Sequence, residues 1–89
     1  MTVTITTPTI NLNGTRAQDL KDNLRRAHTF IRNAIEAMQA VTPHARDYYV
    51  KPNTYTQARE DHDRRMDHLT TIRDELMALW EGIYNQERR

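Results

Sequence analysis

The side chains best equipped for chemistry in this 89-residue chain gather in one stretch. Between Thr42 and Arg65 lie His44, Arg46, Tyr48, Tyr49, Lys51, Arg59, His62 and Arg65. Arginine presents a planar fork of donors that grips phosphate or carboxylate through two parallel hydrogen bonds. Tyrosine faces stack on a base or on a guanidinium. A histidine donates or accepts a hydrogen bond near neutral pH. These residue types together predict a site for an anionic, nucleotide-like ligand. In that site Arg46, Lys51 and Arg59 hold the phosphate, Tyr48 or Tyr49 stacks, His62 adds a hydrogen bond, and His44 and Arg65 complete the lining. A plainer reading stands beside it. Asp47, Glu60, Asp61 and Asp63 are interleaved with the cations, so the stretch is close to neutral. Exposed pairs of this kind contribute only about 0–1 kcal/mol each. On that reading the stretch is a structural or partner-docking loop.

Other chemistries find less support. The chain has no cysteine, which removes disulfide staples and thiolate metal sites. The histidines are His28, His44, His62 and His68, and no two of them have the i, i+4 spacing of a helical metal site. There is no serine, no threonine in a nucleophile motif and no placed carboxylate dyad. We therefore expect no enzyme, no metal and no cofactor. Thirteen basic residues meet twelve acidic ones, so there is no broad positive field to drive non-specific nucleic-acid binding. No run approaches the roughly 18 apolar residues of a membrane span, and no signal-peptide pattern opens the chain. The expectation is a soluble, cytoplasmic protein with no membrane partner.

The elements that must position the loop follow from periodicity. Leu20, Leu24, Ala27, Ile31, Ala34, Met38 and Val41 alternate spacings of four and three, a heptad seam that predicts a first helix over about 16–41. Tyr55, Ala58, His62, Arg65, Leu69, Ile72, Leu76, Leu79 and Ile83 do the same for a second helix over about 55–84, followed by a polar tail at 86–89. Thr15–Gln18 and Thr54–Gln57 both match the capping box. Pro43 ends the first helix, and the connection spans 42–54. Gly82 costs about 1 kcal/mol against alanine inside a helix. His62 and Arg65 occupy seam positions that should be apolar, opposite Ala34 and Ala37. Residues 1–14 carry no charge and alternate β-branched residues with polar ones. They read as an extended arm, with a short strand as an option and Asn13-Gly14 as its closing turn.

The predicted fold class is all-α: an antiparallel two-helix hairpin with an extended N-terminal arm. A mean hydropathy of −0.90 suits long helices with one buried stripe each. Apolar groups remain outside the seams: Phe30 and Ile35 on the first helix, and Met66, Met77, Trp80 and Tyr84 on the second. With Ile10 and Leu12 of the arm, they form the expected interface. A stripe wider than one seam predicts more than one neighbour, and so a homo-oligomer such as a four-helix bundle.

Three stretches resemble a family of short phage and prophage helical-hairpin proteins. They are the N-L-N-G-T opening at Asn11–Thr15, the P-H-x-R-D-Y-Y loop at Pro43–Tyr49 and the A-R-x-x-H-x-x-R run at Ala58–Arg65. The likeness covers nearly all of the chain from Ile10. It implies phage origin, and thus the host-cell cytoplasm, without implying an activity. In size, helicity and loop chemistry the chain also looks like phage anti-defence proteins that sequester cyclic nucleotides at subunit interfaces. The expected function is that of a non-enzymatic phage accessory protein and host-defence inhibitor, binding a nucleotide, a cyclic nucleotide or a host protein. The alternative is a protein-interaction or assembly module that uses the Met66, Met77, Trp80 and Tyr84 row.

Overall fold

The structure is a computed structural model and describes residues 5–88. Helix α1 runs Ala17–Gln39 and helix α2 runs Asn53–Glu87, with a short 3-10 turn at Ala45–Tyr48 between them. The helices pack antiparallel: Lys21 near the start of α1 meets Glu87 at the end of α2, and Thr42 just past α1 meets His62 in the first half of α2. At 1.5 Å per residue α1 is about 35 Å long and α2 about 52 Å. The result is a rod of 61 × 23 × 19 Å. Because α2 is the longer helix, its first turns run past the end of α1. There the connection folds back on them, with Tyr48 against Tyr55 at a ring separation of 6.0 Å.

The helix ends differ from the expected 16–41 and 55–84, each for a local reason. Neither capping box forms. Gln18 donates to Asp22 at 2.8 Å and Gln57 to Asp61 at 2.9 Å, so both glutamines turn forward to an acid rather than back to a cap. A bond to a charged carboxylate is the stronger option. Arg16 stands at the first cap in extended conformation without a side-chain bond. α1 stops at Gln39 because Thr42 donates its hydroxyl to the Gln39 carbonyl at 2.7 Å, satisfying a group the helix leaves open. α2 starts at Asn53 because Pro52 is already helical in its backbone, and proline suits the first turn. It continues to Glu87 because Gln86 and Glu87 both find partners, so the expected tail is partly helix.

Burial is thin. Among the described residues only Ile83 and His62 are buried, and α1 contributes no buried residue at all. The α1 seam from Leu20 to Met38 is half-buried, as its spacing predicts. Val41 is exposed because the helix has ended before it. In α2, Arg65 and Ile72 are exposed seam members. Ile83 is enclosed because three segments meet around it. The arm lies against Gly82, where an added Cβ would come within 2.7 Å of Thr7 Cγ2. The Gln86 amide accepts from the Ile10 N–H at 3.0 Å and donates to the Pro8 carbonyl at 2.7 Å. α1 closes the remaining side through Lys21. The arm forms neither helix nor strand among the described residues. The alternation at Val3 lies outside them. Ile10 is half-buried on α2, whereas Leu12 is wholly exposed.

Candidate functional site

At the loop end the two seams part into an open cleft of ≈ 420 Å³. Met38, Val41 and Pro43 form one wall, and Ala58, Asp61, His62 and Arg65 form the other, with Tyr48 at the mouth. His62 sits in the seam at 6% exposure, its Nε2 3.3 Å from Thr42 Oγ1. The Thr42 hydroxyl proton is committed to the Gln39 carbonyl, so its oxygen accepts and His62 donates from Nε2. The histidine faces Met38, Val41 and Thr42, not Ala34 and Ala37 as its seam position implied. The space beside it comes from the end of α1 rather than from small side chains.

The cleft is not purely cationic. Asp61 lines it beside Arg65. The Gln57 amide and the Arg64 guanidinium, 2.9 and 3.1 Å away, hold the Asp61 carboxyl below the usual carboxylate range, so it is charged at neutral pH. A dianionic phosphate would meet this charge as well as Arg65.

Of the eight residues expected to form a ligand site, Tyr48, His62 and Arg65 converge here. Lys51 lies with Tyr48 in a neighbouring recess of ≈ 260 Å³ that also contains Asp47. Tyr49 is 82% exposed. Of the two adjacent tyrosines only Tyr48 tucks in, as expected for neighbours that point in different directions. Arg59 lies over the Tyr55 ring at 6.0 Å and does not line the cleft, while His44 and Arg46 are exposed on the 3-10 turn and its cap. The structure therefore does not gather Arg46, Lys51 and Arg59 around one point. No group of three or more potential ligands among the described residues is placed to hold a metal ion. No helix among them is long and apolar enough to cross a membrane.

The open end holds a second constellation. Trp80 and Tyr84 stack with ring centroids 5.1 Å apart and planes 12° from parallel. Lys21 lies 5.9 Å from the Trp80 ring and 5.8 Å from the Tyr84 ring, while its ammonium is 2.6 Å from Glu87. Arg25 covers the Trp80 ring at 5.7 Å and Arg88 the Tyr84 ring at 5.6 Å. Beside this stack is a half-open slot of ≈ 110 Å³, floored by Leu24, Leu76, Met77 and Trp80 and rimmed by Arg25 and His28. Sequence reasoning found the aromatic row but missed its cations. The available signal was that Lys21, His28 and Ile35 each follow a seam residue by one, on the flank that an antiparallel partner turns toward Met66, Arg73 and Trp80. The arm packs at Gly82, on the other flank, so none of its bonds covers the aromatic row.

No family model, no curated protein and no solved structure matches the chain.

Proposed function

We propose that this chain is a non-enzymatic, self-associating helical-hairpin module. It works by presenting the flank formed by Ile35, Met66, Met77, Trp80 and Tyr84 to a second helical surface. The observation that carries this reading is the surplus of exposed surface. The chain has an accessible surface of 7207 Å², against about 5,400 Å² for a compact monomer of its mass. Its radius of gyration is 18.4 Å, against about 12 Å for a compact domain of this length. Burying a flank of both helices recovers that surface as a bundle. Phage accessory function and inhibition of a host defence rest on the motif resemblance alone and belong to this proposal only as context. Light scattering on the purified protein is the direct test. An oligomer that Trp80→Ala breaks and Arg46→Ala leaves intact supports the reading. A monodisperse monomer at high micromolar concentration overturns it.

A second reading is favoured by one observation, the meeting of Tyr48, His62 and Arg65 in a cleft large enough for a small ligand. On this reading the loop end takes a singly charged anion with a flat group. Arg65 grips the anion, Tyr48 covers the ring, and the Asp61 carboxylate selects against higher charge. A thermal-shift series over nucleotides and cyclic dinucleotides checks it, since a ligand at 100 times its Kd stabilises by about 2.7 kcal/mol. No shift across the series removes this reading and leaves the first untouched.

A further inference from the structure

We propose that the slot beside Trp80 is completed by a second copy of this chain. The partner's Met66 would enter it, and the partner's Asp63 would pair with Arg25. The inference rests on the self-association proposed above and specifies its geometry.

The argument starts from which flank is apolar. On one side of the seam α2 carries Met66, Met77, Trp80 and Tyr84, and α1 carries His28 and Ile35. On the other side α2 carries Asp61, His68 and Glu75, and the arm occupies the far end. The other flank also exposes Phe30 of α1, but the slot beside Trp80 opens on the first flank. At ≈ 110 Å³ the slot has room for one side chain rather than for a whole ligand: an apolar cavity of about 150 Å³ holds a benzene.

The occupant follows from symmetry and charge. A two-fold interface uses the same patch on both copies, so whatever fills the slot must come from the same flank. Met66 is the apolar residue of that flank at the opposite end of α2 from Trp80. It is about 17 Å from Met77 along the axis at 1.5 Å per residue. A two-fold axis across α2 midway between them lays α2 against its copy in the reverse direction, with the partner's Met66 at the level of Met77. One turn earlier, the partner's Asp63 then reaches the level of Trp80. The Arg25 guanidinium already lies there, over the indole. Neither Arg25 nor Asp63 has an ion-pair partner within its own chain among the described residues. The same axis brings the partner's Arg59 to the level of Tyr84, whose ring already carries Lys21 and Arg88, so this approach does not favour the association. The axis also sets Arg32 of the two copies, and Arg73 of the two copies, at nearly one level; these like-charge approaches oppose the association, and Arg73 is met in its own chain by Asp74 at 3.1 Å. The surplus surface noted above exceeds the roughly 800 Å² that a stable interface takes from each partner.

The test is a charge exchange read by sedimentation equilibrium, with circular dichroism confirming helicity. Arg25→Glu and Asp63→Arg should each weaken self-association at least tenfold. The variant carrying both should return to within about threefold of wild type, because the exchanged pair meets again across the axis. Trp80 is the only tryptophan, so its emission gives a second readout on the unaltered chain. Dilution through the dissociation constant should shift it as the slot opens to water, and Met66→Ala should abolish most of that shift. A wild-type monomer overturns the self-association reading and this geometry together. A dimer that tolerates both single exchanges, or that both weaken without rescue in the double variant, overturns this geometry alone. A dimer whose Trp80 emission ignores dilution does the same.

Discussion

At the open end of the rod Ile83 is wholly enclosed, and the arm, α1 and α2 meet around it. At the loop end the corresponding interior residue is His62, hydrogen-bonded to Thr42, and the seam beside it opens into a polar cleft. The same heptad pattern runs through both ends, yet one is closed by long-range contacts and the other stays open. The difference teaches that a seam alone does not make a core in a two-helix protein. A third segment must close over it: the arm does so at the open end, whereas at the loop end the 3-10 turn reaches α2 through Tyr48 and leaves the cleft open. The loop end, with an open cleft beside its one buried residue, has the features of a region that opens locally at low cost.

Substitutions at the two ends should break or sharpen this contrast. The largest effect is expected from Ile83→Ala, which should lose about 2–5 kcal/mol through lost burial and the cavity left behind. Tyr49→Ala at the loop should stay within about 0.5 kcal/mol. Urea denaturation at one fixed protein concentration measures both, and similar costs would erase the distinction between the ends. Next comes Gln86→Ala. Losing the bonds to Ile10 and Pro8 should cost about 1–3 kcal/mol and free the Ile10 amide to exchange with solvent while α2 stays helical. Unchanged protection at Ile10 would mean that the Thr7 contact on Gly82, not the amide clamp, seats the arm.

A smaller effect is expected from His62→Leu. Leucine restores the apolar seam, and the Thr42 hydroxyl keeps its bond to Gln39, so stability should change by less than about 1.5 kcal/mol. A loss well above that in calorimetry would make the loop end a cohesive polar core rather than an open one. The smallest effect is the pH dependence of Asp61. Its folded-state pKa lies below the unfolded value because Gln57 and Arg64 bond its charged form. The stabilisation it supplies is therefore present above the unfolded carboxylate pKa and lost as pH falls through the lower folded value. Asp61→Asn should flatten that acid-side slope slightly, and an identical acid titration of the variant would show that the bonds do not matter.

The helical hairpin was legible in the sequence because burial on one face imposes its period on the chain. The α1 seam from Leu20 to Met38 and the α2 seam at Leu69, Leu76, Leu79 and Ile83 lie where the spacing places them. The helix ends were less legible. Gln18 and Gln57 each had two possible partners, and sequence does not rank a backbone N–H against a carboxylate one turn ahead. Part of the loop-end cleft was foreseen through His62, Arg65 and Tyr48, since polar residues in a seam announce a gap. The dispersal of Arg46, Lys51 and Arg59 was not, because it depends on the 3-10 turn and on Arg59 lying over Tyr55.

By itself the sequence determined what periodicity and composition govern: two amphipathic helices, an uncharged arm ahead of them, a polar break near the connection and an apolar row beyond the seam. Tertiary structure alone decided how the open end closes. The Gln86 amide spans residues 76 and 78 positions away, Gly82 makes room for Thr7, and Lys21 reaches both Glu87 and the Trp80–Tyr84 stack. Each joins groups far apart along the chain. Local spacing carries no information about such pairs until the seams have brought the helices together.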